Sequence, residues 1–296
     1  MKYRRLGRTG EEVSVVGLGT WQFGGEWGHD FTQDEVDAIL DAARETGINL
    51  IDTAECYGDH LSEELIGGAI EKDREKWFVA TKFGHIFRDF LERDRDFTPE
   101  GLIDQLDASL AALRTDYIDL LQFHSPRDHE FDNPDLWELL RRLKEEGRIR
   151  HFGLSVSPNT NSYQTGKAAE IGGGTIQVVY NRLQREPEKE VLPLCRRDDL
   201  GVFARVPMAS GLLSGKYGPG STFNGKDVRA TRDAEVLERQ LEEVERIRRE
   251  ELPEDVDMAS WALAWVLKNP AVTAVIPGCK SPEQVRKNAA AAEIEL

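Results

Sequence analysis

"NLIDTAECYG", residues 49–58, starts as an apolar run of buried-strand type and turns polar at Asp52, Thr53, Glu55 and Tyr57. A strand that ends on a carboxylate and a phenol is either a solvated strand end or the rim of a site, and the flanking pattern bears on which. Short apolar runs alternate with longer segments of helical period along the whole chain. After an expected hairpin, "KYRRLGRTGEEVSVV", the strand candidates are "VVGLGT", "INLID", "WFVATK", "YIDLLQFH", "IRHFGLS", "TIQVVYN", "GVFARVP" and "TAVIPG".

The intervening segments carry helix-start signals. Thr32 to Glu35 is a capping-box pattern, Thr98-Pro99 and Asn133-Pro134 put an N-cap before a proline at the first helical position, and Ser281-Pro282 repeats the device. Strand–helix alternation calls for parallel strands joined by helical crossovers. Eight such units in 296 residues fit an α/β fold of the (β/α)8 TIM-barrel type with an N-terminal β-hairpin, and no Pro-, Gly- or Ser-rich linker divides residues 1–296. One domain is expected. The longest irregular stretch, "MASGLLSGKYGPGSTFNGKDVRATRD", follows the seventh strand and is expected to act as a lid.

Composition narrows the partners. With 38 Lys and Arg against 54 Asp and Glu the formal charge is −16, which disfavours nucleic acid or an anionic membrane. In "RDAEVLERQLEEVERIRREE" both signs alternate along an expected solvent-facing helix. Cys56, Cys195 and Cys279 are odd in number and far apart, and the N-terminus lacks a signal-peptide apolar region, so a cytoplasmic location is expected. The histidines form no H-E-x-x-H or tight cluster in sequence, and no metal is assigned.

In a barrel of this kind the catalytic groups belong at the C-terminal strand ends. Those ends read Gly19 and Thr20, Asp52, Lys82, His124, Ser155, Gln177, Arg205 and the Pro277-Gly278 turn. Singly each is an ordinary strand terminus; convergence on one face gives them chemical meaning. A phenol titrates near 10, so proton donation by Tyr57 near neutrality asks for a cation beside its phenolate. Lys82 is suited to that role, Asp52 to holding the ammonium, and a neutral His124 to turning a carbonyl oxygen toward the phenol. Lys280, beside the capped helix start at Ser281, suits an anion. "GLGTWQ" lacks the third glycine of a dinucleotide fingerprint, and "GLLSGKY" is too short for a P-loop.

Together these segments resemble the aldo-keto reductase superfamily, from "LGRTGEEVSVVGLGTWQFGG" through "NLIDTAECYG", "SEELIGGAI", "VATKFG", "LRTDYIDLLQFH", "IRHFGLS", "IQVVYN" and "ARVPMASGLLSGKY" to "VIPGCKSPEQVRKN". The resemblance implies a barrel that binds NADP(H) without a Rossmann domain and reduces an aldehyde or ketone to an alcohol, reversibly. It places a catalytic tetrad on Asp52, Tyr57, Lys82 and His124. It puts the nicotinamide end of the cofactor at Gly19, Thr20, Asp52, Ser155 and Gln177, and the adenosine-phosphate end at Gly278, Lys280, Gln284 and Asn288, with Lys280 facing the 2′-phosphate. Two departures stand out: Val156 follows the fifth-strand serine where many members have Asn, and Arg205 ends the seventh strand where many stack an aromatic on nicotinamide. A small carbonyl substrate is expected to meet Trp21, Trp27, Tyr57 and His124, with Phe23, His29 and Phe83 beside the mouth. The alternatives are a cofactor-binding redox sensor with little turnover and a Schiff-base enzyme using Lys82.

Overall fold

The structure, a computed structural model, describes residues 1–223 and 227–296. Strands β1 (Tyr3–Arg5) and β2 (Glu12–Ser14) form the N-terminal hairpin; β3 (Leu18–Gly19), β4 (Leu50–Asp52) and β5 (Phe78–Phe83) begin the barrel. A second hairpin, β6 (His85–Asp89) and β7 (Glu92–Arg95), interrupts it before β8 (Ile118–His124), β9 (Ile149–Ser155), β10 (Thr175–Val179), β11 (Gly201–Arg205) and β12 (Ala274–Ile276). The barrel strands are parallel in the order β3-β4-β5-β8-β9-β10-β11-β12. Bridges from Val16 to Val275 and from Gly19 to Gly278 close the seam between first and last.

Helices fill the crossovers: α1 (Gln33–Thr46), α2 (Leu61–Ile70), α3 (Pro99–Ala112), α4 (Asp128–Phe131), α5 (Pro134–Glu145), α6 (Ser162–Ala168), α7 (Val191–Arg197), α8 (Ala234–Glu250), α9 (Met258–Leu267) and α10 (Pro282–Ala290). Their starts follow from the capping residues. Thr32 and Glu35 exchange hydrogen bonds as a capping box, Thr98 and Asn133 cap helices that begin on proline, and Ser281 does so for α10. The charged helix α8 buries Leu241, Val244 and Ile247 against Leu212, Trp261 and Ala262, and turns its ion pairs outward.

Period-two alternation sorts each strand into two faces. Ile51, Val79, Leu121, Val202 and Ala204 join the large apolar layer between strands and helices. Leu50, Phe78, Ala80, Leu120 and Phe203 point inside and pack with Leu6 and Val13, so the N-terminal hairpin plugs the bottom of the barrel. The same parity carries inward, one or two steps further along each strand, Asp52, Lys82, Gln122, His124, Ser155, Gln177 and Arg205. The apolar floor and polar mouth are therefore one pattern read at two heights.

The β6–β7 hairpin was not anticipated, because its mostly charged, part-exposed strands lack an apolar alternation. Of the expected lid, the described parts are short 3-10 turns at Ala209–Ser214 and Val228–Thr231; Asn224, Gly225 and Lys226 lie outside the described residues. Among the described residues no helix is long and apolar enough to cross a membrane.

Candidate active site

Asp52 closes β4, and the chain turns at once into the loop that carries Tyr57. That loop is fixed by backbone contact: a Cβ on Gly24 would lie 2.5 Å from the Tyr57 carbonyl carbon, and one on Gly58, at φ +69°, would lie 2.6 Å from the Gly24 oxygen. Only glycine at both positions lets the Trp21 and Tyr57 loops touch. Beneath them, the Thr20 hydroxyl donates to the Asp52 carbonyl at 3.0 Å and the Ser62 hydroxyl lies 3.0 Å from Thr53 Oγ1.

Lys82 sits wholly buried at the centre of the mouth. Its Nζ donates to Asp52 Oδ1 at 2.9 Å, to the Thr53 carbonyl at 2.5 Å and to Tyr57 Oη at 3.5 Å. Asp52 Oδ2 accepts from Gln177 Nε2 at 2.6 Å and Gln122 Nε2 at 3.3 Å, and Ser155 Oγ reaches Gln177 Oε1 at 3.4 Å. A connected polar layer therefore runs from Ser155 to the Tyr57 phenol. Gln122 belongs to it although only strand ends suggested the site; its signal was the same parity as His124, two residues on.

The electrostatics follow from burial. Burial opposes the charge on Lys82, but the summed attraction of Asp52, Tyr57 and Glu55 holds its pKa above the ordinary lysine value. Burial pushes the Tyr57 phenol up to about 12, outweighing the pull of Lys82. The lysine lies beside the phenol and pulls its pKa down, but by less than burial raises it, and the phenol keeps its proton at neutral pH. Burial, followed by the repulsion of Lys82 and Arg205, drops the His124 pKa well below its usual range, so the ring is neutral.

His124 has company that the sequence did not reveal. His85, from the inserted hairpin, stacks on it with ring centroids 4.5 Å apart, and Glu55 Oε1 lies 3.4 Å from His124 Nδ1 while accepting from the His85 backbone N–H at 3.0 Å. Cys56 Sγ lies 3.7 Å from the same Nδ1. The hairpin is tied down through Glu26, whose carboxylate accepts from Trp21 Nε1 at 2.7 Å, Arg93 at 2.6 Å and the Leu91 N–H at 3.0 Å.

The aromatic wall is smaller than expected. Trp21 stacks on Tyr57 at 6.1 Å and Trp27 meets Trp21 edge-on at 5.3 Å, but Phe23 packs on Phe31, and Phe83 on Phe97 and Phe123, in the outer apolar layer. Phe83 follows the inward Lys82, so its parity turns it away. His29 is exposed and pairs with Glu35 at 3.1 Å.

Around the rim, Arg205 Nη2 donates to the Val156 carbonyl at 3.4 Å, so the two departures from the usual pattern touch each other. Gly278 borders the seam, where Gln22 Nε2 donates to the carbonyls of Gly19 at 2.9 Å and Cys279 at 2.7 Å. Gln284 Oε1 accepts from the Lys280 backbone N–H at 2.9 Å, and Asn288 is buried with Nδ2 3.1 Å from Cys279 Sγ. Lys280 Nζ reaches over to the Trp27 carbonyl at 3.1 Å.

A conserved-family model described as "Aldo/keto reductase family" matches residues 15–296. The fold and the model together define an oxidoreductase: the chain belongs to the aldo/keto reductase family. It is similar to the uncharacterized oxidoreductase YqkF of Bacillus subtilis, 34% identical with 99% of this chain and 91% of that protein covered. It is equally similar to the NADH-specific methylglyoxal reductase of Escherichia coli, 34% identical over 100% of this chain and 95% of that one. Among solved structures, the holo form of the aldo-keto reductase AKR11C1 from Bacillus halodurans superposes with a TM-score of 0.83, at 29% identity, covering 100% of this chain and 92% of that one. The glycerol dehydrogenase AKR11B4 from Gluconobacter oxydans gives a TM-score of 0.81 at 31% identity, covering 94% and 86%.

Aldo-keto reductases work with nicotinamide cofactors, and the mouth fits one. Gln122 Oε1, Arg205 Nε and Trp27 Nε1 are buried there with no hydrogen-bond partner, each a polar atom that a bound amide, phosphate or sugar hydroxyl could satisfy.

Proposed function

We propose that the chain reduces an aldehyde or ketone to an alcohol, reversibly, with NADPH as the preferred cofactor and Tyr57 as the proton donor. The observation that carries this reading is the Lys82 ammonium between Asp52 at 2.9 Å and the Tyr57 hydroxyl at 3.5 Å, inside the polar mouth of the barrel. When bound, the cofactor supplies a hydride from nicotinamide C4 to the carbonyl carbon.

The chain's own residues handle the proton. His124, neutral, orients the carbonyl oxygen toward Tyr57. The phenol, protonated at neutral pH, gives its proton to that oxygen as negative charge develops there, and the phenolate left behind meets Lys82. Solvent returns the proton afterwards. Asp52, anchored by Gln122 and Gln177, keeps the ammonium on station. Gly19, Thr20, Ser155, Gln177 and Arg205 would frame the nicotinamide end, and Gly278, Lys280, Gln284 and Asn288 the adenosine end. Trp21 and Trp27 would wall the substrate.

Support for NADPH comes from charge. After burial, the repulsion of Arg229 lowers the Lys280 pKa, partly offset by Asp227, which pairs with Arg229 at 2.6 Å, and Lys216 adds a smaller repulsion, so positive charge is in excess beside the capped start of α10. A 2′-phosphate would neutralise that repulsion. The E. coli relative is described as NADH-specific, so direct titration decides. Fluorescence titration with both cofactors, followed by absorbance with a panel of carbonyl compounds, is expected to give tighter NADPH binding and turnover. Equal affinities would overturn the cofactor preference, and binding without turnover on any carbonyl would replace the reductase by a redox sensor.

A further inference from the structure

We propose that Cys56, His85 and His124 form a binding site for one divalent transition metal of zinc or cobalt type, built around the carbonyl-orienting histidine. The donor atoms of the three side chains all lie within 4.8 Å of one another. A tetrahedral site with metal–sulfur bonds of about 2.3 Å and metal–nitrogen bonds of about 2.0 Å has edges of about 3.3 to 3.6 Å. The Cys56 Sγ to His124 Nδ1 distance is 3.7 Å, already close to such an edge. Closing the rest requires the stacked His85 and His124 rings to unstack, so that both ring planes meet at the metal. Thiolate plus two imidazoles is the donor mixture that borderline-soft metals take, and it leaves a fourth position open.

A second observation points the same way. Glu55 is buried beside the cluster, with Oε1 3.4 Å from His124 Nδ1 and Oε2 lacking any hydrogen-bond partner. A bound cation would give that carboxylate a counter-charge. Of the nearby cations, Lys82 is matched by Asp52 at 2.9 Å, Arg93 by Glu26 at 2.6 Å and Arg95 by Glu130 at 2.5 Å, whereas Arg205 has only the Val156 carbonyl; their residual repulsion at His124 is what the three donors and Glu55 must outweigh. Arg95 also donates to His85 Nε2 at 3.0 Å; a metal taking that nitrogen displaces it onto Glu130. His85 and His124 are each partly exposed, which provides an entry path.

Binding is a simple exchange: the metal dication forms bonds to sulfur and two ring nitrogens, and the Cys56 thiol releases its proton to solvent. Metal at His124 Nδ1 leaves the proton on Nε2, the tautomer that can donate to a carbonyl oxygen. The site therefore couples metal occupancy to the state of the orienting histidine.

The test is a titration of the full-length, thiol-reduced, cofactor-free chain with Co2+, followed by absorbance. The expected result is a thiolate-to-cobalt charge-transfer band and strong tetrahedral ligand-field bands that saturate at one equivalent. Cys56→Ser should abolish the charge-transfer band, His85→Ala should weaken Co2+ binding by more than about tenfold, and Cys279→Ser should leave both unchanged. Circular dichroism checks that each variant is folded. Absence of the band at saturating Co2+, or its survival in Cys56→Ser, overturns the proposal. Neither result depends on whether the chain reduces a carbonyl.

Discussion

The barrel buries an ion pair near each end, and the two are built differently. At the mouth, Lys82 and Asp52 share their contacts with a titratable phenol and with two amides, of which Gln122 keeps an unpartnered Oε1. At the other end, Arg74 donates to Asp119 at 2.7 Å and to the carbonyls of Trp77 and Tyr117, lies over the Tyr117 ring at 4.2 Å, and leaves only Nε without a partner. Asp119 also accepts from the Val79 N–H at 3.0 Å and faces Arg150 at 3.1 Å. Asp119 and His124 stand near opposite ends of the same strand. The partners of the lower pair are backbone groups, a ring face and a second guanidinium, whereas the upper pair adjoins a titratable phenol and the open Gln122 amide; what the pair touches, not burial, separates a site from a staple.

The contrast breaks first, and most visibly, at Tyr57. Tyr57→Phe should lower kcat by about 10²- to 10⁴-fold while leaving the NADPH Kd within a few-fold, because in the proposed mechanism the hydroxyl serves proton transfer and other residues hold the cofactor. Steady-state kinetics together with fluorescence titration check this. Near-native turnover in the variant would remove the proton-donor role and with it the functional half of the comparison.

Asp119→Ala addresses the lower pair. Leaving the Arg74 guanidinium buried without its carboxylate should cost about 3–5 kcal/mol of stability, measured by urea unfolding, with kcat/KM intact at a temperature where the variant is folded. A large loss of kcat/KM in the folded variant would mean that the two ends are coupled. A third test sharpens the upper end alone: Lys280→Ala should weaken NADPH by about tenfold or more, a difference of about 1.4 kcal/mol, while leaving NADH unchanged. An equal loss for both cofactors would shift Lys280 from the 2′-phosphate to a general role in the loop.

Why one end was readable in the sequence and its surroundings were not is a matter of spacing. Asp52 and His124 end apolar strands and Lys82 stands one residue before the end of another, so period-two parity and barrel topology bring them together without any long-range guess. The lower hairpin and the capped helices were legible for similar local reasons. Glu55, Cys56 and His85 were hidden because their meeting depends on loop paths: Glu55 and Cys56 precede Tyr57 in a turn, and His85 arrives on a hairpin whose charged strands carry no apolar code. Phe83 was misplaced as a pocket residue by proximity in sequence to Lys82, although parity sends it outward.

The smallest expected effect concerns those hidden residues and pH. Burial, reinforced by His124, pushes the His85 pKa down to about 3 from an ordinary value of 6.5. Between those values the unfolded chain binds a proton that the folded chain refuses, so stability falls as pH drops from about 6.5 toward 3 and is fully retained above that window. His85→Asn should therefore flatten the stability profile over that range, with little change at pH 8, as followed by thermal unfolding in a pH series. His151, toward the lower end of the barrel, is also depressed by burial, but Glu11 at 3.2 Å pulls against the shift. His151→Asn should accordingly flatten the profile less. If the two substitutions have equal effects, the stacked histidine pair at the mouth carries no special acid sensitivity, and the two ends of the barrel respond alike to protons.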